Sequence, residues 1–167
     1  QGHLICTDLN GRIQWQASMR QLGGKTPGWG YTESVLVDGG HVICTPGGKS
    51  GTLAALDKKT GKVIWRSSDW TDGAQYASVV PAELNGQRQF VQLTQKTLAG
   101  VSARDGSVLW RNAWPGRTAV IPTPIVHRNE VYISSGYGAG CRKITVGGAN
   151  EVTEDYSNKN MKNKHLR

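Results

Sequence analysis

GTLAALDKKTGKVIWRS (residues 51–67) and KTLAGVSARDGSVLWRN (residues 96–112) match at a fixed offset of 45, which places Trp65 on Trp110. The start of the chain supplies a third copy, GHLICTDLNGRIQW (residues 2–15), with Asp8 on Asp57, Trp15 on Trp65 and one residue fewer in the turn. Each copy reads as an apolar strand, a turn, and a short alternating strand ending in tryptophan. The turns contain Asn10-Gly11, Thr60-Gly61 and Asp105-Gly106, and glycine supplies the positive φ that a tight hairpin turn requires.

Ahead of each later hairpin lie two further strand candidates. They are Ser34–Val37 with His41–Cys44, Ser78–Val80 with Gln89–Leu93, and, in a fourth unit, Thr123–Val126 with Val131–Ser134. Four antiparallel strands per unit of about 45 residues is the repeat of a β-propeller blade. The expected fold class is therefore all-β, a propeller of four-stranded antiparallel blades with about 3.5 blades present, part of a seven- or eight-bladed ring.

The expected organisation of residues 1–167 as a partial propeller is the end of one blade over 1–20, then blades over 28–67, 73–112 and 118–157, with 158–167 beginning another. A blade's faces are covered by its neighbours, and a ring removes its open ends only on closure. A longer native chain, or self-association through open blade edges, would complete the ring.

Composition agrees. Twenty-two glycines and a single phenylalanine suit many tight turns better than helix packing. No apolar run approaches the ~18 residues of a membrane-spanning helix. The first twenty residues lack the basic start and unbroken apolar stretch of a secretory signal. Cys6, Cys44 and Cys141 are widely spaced and indicate neither a disulfide framework nor a zinc site. The net charge is +8, but Lys159, Lys162, Lys164 and Arg167 carry +4 of it within ten residues, and no nucleic-acid-binding motif accompanies them.

Ala55-Leu56-Asp57-Lys58-Lys59-Thr60-Gly61-Lys62-Val63-Ile64-Trp65 resembles the tryptophan-docking motif of the pyrroloquinoline-quinone (PQQ) dehydrogenases, A-x-D-x-x-T-G-K-x-x-W, at every defined position. The copy ending at Trp110 has Gly100, Ser102, Asp105 and Ser107 where that motif has Ala, Asp, Thr and Lys, and Cys6 replaces the alanine in the first copy. The segments 133–141 and 158–163 resemble parts of bacterial PQQ-like repeat proteins, often labelled alcohol or polyvinyl-alcohol dehydrogenases by similarity. The resemblance implies that Trp15, Trp65 and Trp110 are structural docking residues. An indole on an outer strand can cover the next blade while its N–H finds a backbone acceptor.

The resemblance carries two functions. One is a non-catalytic binding or scaffolding module, periplasmic or secreted, meeting a protein or a small molecule at the propeller face. The other is a PQQ-dependent, alcohol dehydrogenase-like quinoprotein using PQQ with Ca²⁺, its cofactor groups partly in blades not included in this sequence. Enzymes of that kind place a vicinal disulfide over the quinone, with Glu and Asn ligands for calcium and an aspartate base. This sequence has no Cys-Cys pair, and neither a calcium site nor a base with an orienting partner can be assembled from it. No catalytic residue or metal ligand is assigned. His3, His41, His127 and His165 are isolated, and Glu33, Asp69, Asp72 and Glu83 read as solvated carboxylates near strand ends. The glycine-rich pieces 45–51 and 136–140 read as loops between the second and third strands of a blade, since no helix follows either.

Geometry then singles out the segments leading into each innermost strand, which open on one face of the channel. They supply the candidate ligand contacts Trp29, Tyr31, Glu33, Gln75, Tyr76, Lys159, Asn160 and Lys162. Ser34, Ser78 and Thr123 occupy one repeat position, where hydroxyls are expected to satisfy neighbouring backbone groups.

Overall fold

The computed structural model describes residues 2–161. Three four-stranded antiparallel sheets follow one two-stranded sheet, each a simple meander. The first is β1 (His3–Thr7) with β2 (Ile13–Ser18). The second holds β3 (Leu36–Asp38), β4 (His41–Cys44), β5 (Ala54–Asp57) and β6 (Val63–Arg66). The third holds β7 (Val80–Leu84), β8 (Gln87–Leu93), β9 (Thr97–Ser102) and β10 (Val108–Ala113). The fourth holds β11 (Ile125–His127), β12 (Glu130–Ser135), β13 (Gly140–Val146) and β14 (Val152–Asn158), with one 3₁₀ turn at Gly148–Asn150. This is the all-β, partial-propeller architecture expected from the repeat. Residues 162–167, within the segment read as beginning another blade, lie outside the described residues.

The core consists of layers between sheets, because strand side chains alternate between two faces and each face meets a different neighbour. In β4, Val42 and Cys44 pack toward the two-stranded sheet with Leu4, Met19 and Leu22. Ile43 between them points the other way, into a layer with Trp65, Trp70, Phe90 and Val101. The next layer joins Val91, Leu93, Leu98, Trp110 and Trp114 to Val131, Ile133 and Ile144. On the outward faces of the first and last sheets, Ile5, Ile13 and Tyr156 are exposed.

The inner strands begin two residues later than the pattern suggests, at Leu36, Val80 and Ile125. The reason lies in Ser34, Ser78 and Thr123, whose polar groups pair between sheets instead of within them. Ser34 N–H donates to Ser78 Oγ at 2.9 Å, and Ser78 N–H donates to Thr123 Oγ1 at 3.3 Å. The hydroxyls of Ser78 and Thr123 thus each accept from the preceding blade along the inner ring.

A β-bulge precedes the tryptophan in every copy of the hairpin. Pairing runs Cys6↔Trp15 then Thr7↔Ile13, Ala55↔Trp65 then Leu56↔Val63, and Gly100↔Trp110 then Val101↔Val108. Gln14, Ile64 and Leu109 are the extra residues. A bulge bends its strand and re-aims the side chain beside it. The fourth sheet repeats the device, with Lys143↔Tyr156 then Ile144↔Glu154. Tyr156 therefore occupies the tryptophan position in a hairpin whose Gly147-Gly148-Ala149-Asn150 turn lacks the Asn-Gly, Thr-Gly or Asp-Gly pair of the other three.

Candidate functional site

In a meander the connections alternate faces, so the β4–β5, β8–β9 and β12–β13 turns share a face with the segments that lead into β3, β7 and β11. Hydrogen bonds tie the two sets together. Gly47 bridges Gly73, and Tyr31 Oη donates to the Pro46 carbonyl at 3.0 Å.

On this face Trp29, Thr32, Tyr76, Ala119, Ile121 and Tyr137 enclose a pocket of about 260 Å³. Three consecutive blades contribute to it. Trp29 is 65% exposed, with its ring edge-on to Tyr76 at a centroid distance of 5.7 Å and an interplanar angle of 60°. Tyr76 is buried, its backbone N–H donating to the Val120 carbonyl at 3.0 Å and its hydroxyl accepting from Trp29 N–H at 3.3 Å. The anchored tyrosine thus fixes the backbone of the exposed tryptophan.

The other candidates go elsewhere. Tyr31 packs beneath the loop against the first core layer. Gln75 Oε1 accepts from Val120 N–H at 3.3 Å, a link between blades. Lys159 and Asn160 form an exposed turn after β14, where Asn160 N–H donates to Asn158 Oδ1 at 2.9 Å. Lys162 lies outside the described residues. Glu33 is not the solvated carboxylate its loop position suggests. Its two oxygens accept from the N–H and the hydroxyl of Thr45, each at 2.6 Å. Burial pushes its pKa up to about 7, against the pull of those two bonds. Thr45 in turn accepts from Gln92 Nε2 at 2.8 Å, and Gln92 also reaches the Ala77 carbonyl at 3.2 Å. Glu33 is a strut within its own blade, and Thr45 carries the link on to Gln92 of the next.

Thr32, Ala119, Ile121 and Tyr137 are pocket residues that were not singled out from the sequence. Tyr137 sits in the 136–140 loop, and its signal was topological. Once that loop is placed between the second and third strands of a blade, it must emerge beside the segments that lead into the inner strands.

The three tryptophans divide. Trp15 Nε1 donates to the Lys58 carbonyl at 2.9 Å and Trp65 Nε1 to the Ala103 carbonyl at 3.3 Å, both in the next sheet. Trp110 Nε1 donates to Gln89 Oε1 at 2.6 Å, within its own sheet. Gly100 permits this, since a Cβ there would collide with the indole. Ala55, opposite Trp65, leaves no such space on its own sheet.

Among the described residues no three His, Cys, Asp or Glu side chains gather where a cation could be held. Glu33, a carboxylate on this face, is already committed to Thr45. These described residues do not fit a calcium–quinone centre. No Ser, Cys or Lys lines the pocket.

A family model described as outer membrane protein assembly factor BamB matches residues 1–165. The chain belongs to that family. The BamB-family match covers nearly all of the sequence and agrees with the PQQ-like repeat. No curated protein matches the chain. Among solved structures, the C-terminal domain of PilY1 from Pseudomonas aeruginosa is similar, with a TM-score of 0.57 and 20% identity. The likeness covers 86% of this chain and 37% of that one, so the chain spans little more than a third of that domain and shares its fold. Among the described residues no helix is long and apolar enough to cross a membrane.

Proposed function

We propose that this chain is part of a PQQ-like propeller that works as a non-catalytic binding or scaffolding module outside the cytoplasm. It takes a partner at the face where the segments before β3, β7 and β11 converge. The observation that carries this reading is the pocket itself: Trp29, Tyr76 and Tyr137 meet around an apolar cavity without a nucleophile, a base pair or a ligand cluster. Exposed aromatic side chains held by a rigid scaffold are the common currency of protein recognition. Membership in a family described by outer-membrane protein assembly supports both a protein partner and a location outside the cytoplasm. In the same reading Trp15 and Trp65 are docking residues that hold blade to blade and carry no chemistry.

The test has two arms. Panning a random peptide library against the chain is expected to yield binders that fail on Trp29→Ala. Titration with PQQ and Ca²⁺, followed by tryptophan fluorescence and by dye reduction with alcohols, is expected to give neither saturable quenching nor turnover. Dye reduction that depends on PQQ would overturn the module reading in favour of the quinoprotein one.

A further inference from the structure

The aromatic pocket does not stand alone on its face. Tyr137 is followed by Gly138, and the Arg117 guanidinium lies 3.8 Å from where a Cβ on Gly138 would be. Arg117 has a positive φ of 50°, and its carbonyl accepts from the Gln95 side chain. The loop thus holds the arginine out beside the pocket. Beyond it opens a groove of about 700 Å³, lined by Gln95, Lys96, Trp114, Arg117 and Arg142.

The cations in this groove are not equivalent. Arg142 is spent on the fold: it stacks over Trp114 at 5.6 Å, donates to Asn112 Oδ1 at 2.6 Å and pairs with Glu154 at 3.1 Å. Lys96 and Arg117 are exposed, and among the described residues neither side chain pairs with a carboxylate. Arg20, Lys25 and Lys49 are exposed on loops of the same face. Of its acids, Glu33 is held by Thr45, Asp72 accepts from Thr94 at 2.6 Å, and Asp69 is exposed. The opposite face carries the hairpin acids Asp8, Asp57 and Asp105 together with Arg12, Lys58, Lys59, Lys62 and Arg104 in the same turns, so its charges are mixed.

We propose that this face binds an acidic peptide segment, one apolar or aromatic side chain of which seats among Trp29, Tyr76 and Tyr137 while its carboxylates meet Arg117 and Lys96. The inference rests on the module reading above and adds the chemistry of the partner. A pocket of side-chain size on the same face as a cationic groove, with Arg117 between them beside Gly138, suits an extended chain with one anchor and flanking negative charge. The 60° angle between Trp29 and Tyr76 makes a corner and not a flat stacking platform, which disfavours nucleobases. Charge complementarity of this kind sets selectivity and association rate more than total affinity, and exposed pairs are screened as salt rises.

The test measures fluorescence anisotropy of labelled peptides against the intact chain. One peptide is rich in glutamate around a central phenylalanine, a second has every Glu replaced by Gln, and a third has the phenylalanine replaced by serine. The acidic peptide is expected to bind about tenfold more tightly than its Gln version at low salt, a margin that shrinks as salt is raised. Arg117→Gln and Lys96→Gln should each narrow that margin and leave the Gln peptide unaffected. Trp29→Ala and loss of the phenylalanine should weaken both peptides, with circular dichroism unchanged because Trp29 is exposed. Equal binding of the Glu and Gln peptides, still dependent on Trp29, overturns the acidic partner while leaving the module reading intact. Binding that ignores Trp29→Ala overturns both. Tighter, Arg117-dependent binding of oligothymidylate or of vesicles containing phosphatidylglycerol would show that the face takes a different polyanion.

Discussion

Trp15 lies across Gly61 of the next blade, so close that a Cβ on the glycine would come within 2.6 Å of the indole. Trp65 stands in the same relation to Gly106, at 2.5 Å. The glycine of each hairpin therefore has two duties. It turns its own hairpin, with φ of 69° at Gly61 and 77° at Gly106, and it leaves room for the tryptophan of the blade before.

These duties can be separated by experiment. Gly39 also has a positive φ, 56°, but a Cβ there would meet nothing within 4 Å. Gly39→Ala is expected to cost about 1–2 kcal/mol, the penalty for a side chain in the left-handed region. Gly106→Ala should cost that and a further ~1–3 kcal/mol, because the added methyl must displace Trp65. Urea denaturation of both variants is the measurement. Equal losses would mean that the tryptophan contact contributes nothing.

Removal of the indole itself tests the same contact from the other side. Trp65 is 7% exposed and sits in the layer with Phe90 and Val101. Trp65→Ala is expected to destabilise the fold by about 3–5 kcal/mol, the range for truncating a buried large aromatic. Trp15, only half-buried, should cost less when truncated. A thermal midpoint unmoved by Trp65→Ala would remove the structural role from this residue.

Gln89 and Trp110 form a buried pair whose members should be energetically coupled. Gln89→Leu leaves the Trp110 N–H without its 2.6 Å acceptor in a dry layer, a loss of about 1–3 kcal/mol. Trp110→Phe strands the Gln89 carbonyl in the same way. The double variant removes both polar groups and should be more stable than the sum of the single losses predicts. A strictly additive cycle would show that the hydrogen bond is not part of the stability of this blade.

The repeat made the fold legible because period-two alternation, glycine turns and terminal tryptophans recur at a fixed spacing, and these are local signals. Trp29 and Tyr76 were legible as pocket residues for a similar reason, since they precede equivalent strands. Tyr31, Glu33 and Gln75 precede the same strands, yet turn onto Pro46, Thr45 and Val120. Which way a loop side chain turns depends on neighbours some 12–45 positions away, and no spacing encodes that. Tyr156 was hidden for the opposite reason. Its bulge preserves the tryptophan position, but the Gly-Gly-Ala-Asn turn before it erases the sequence signature. Gln89 and Gln92 looked like ordinary polar strand residues, and only the packed layers reveal them as the acceptor for Trp110 and the link between Thr45 and Ala77.

Glu33 gives the fold a pH dependence whose sign can be stated. Its folded pKa of about 7 lies above the ordinary value of 4.5, with burial the dominant cause. Between those two values the folded chain binds more protons at this site than the unfolded chain does. Stability therefore falls as pH rises through that window and levels off above it. The neighbours do not obscure the effect: Tyr31 and Cys44 are both pushed upward by burial, away from the window, and Arg66 stays cationic throughout. The hairpin carboxylates of Asp57 and Asp105 are held low by Thr60 and Ser107 and act with the opposite sign only in more acidic solution. The thermal midpoint is thus expected to decline from about pH 5 to about pH 8, following the linkage relation. Glu33→Gln keeps an acceptor for Thr45 but has no proton to exchange, so it should remove this component and be the more stable form at pH 8. A Glu33→Gln variant with the same midpoint–pH slope as the parent would show that the strut is solvated and its carboxylate ordinary.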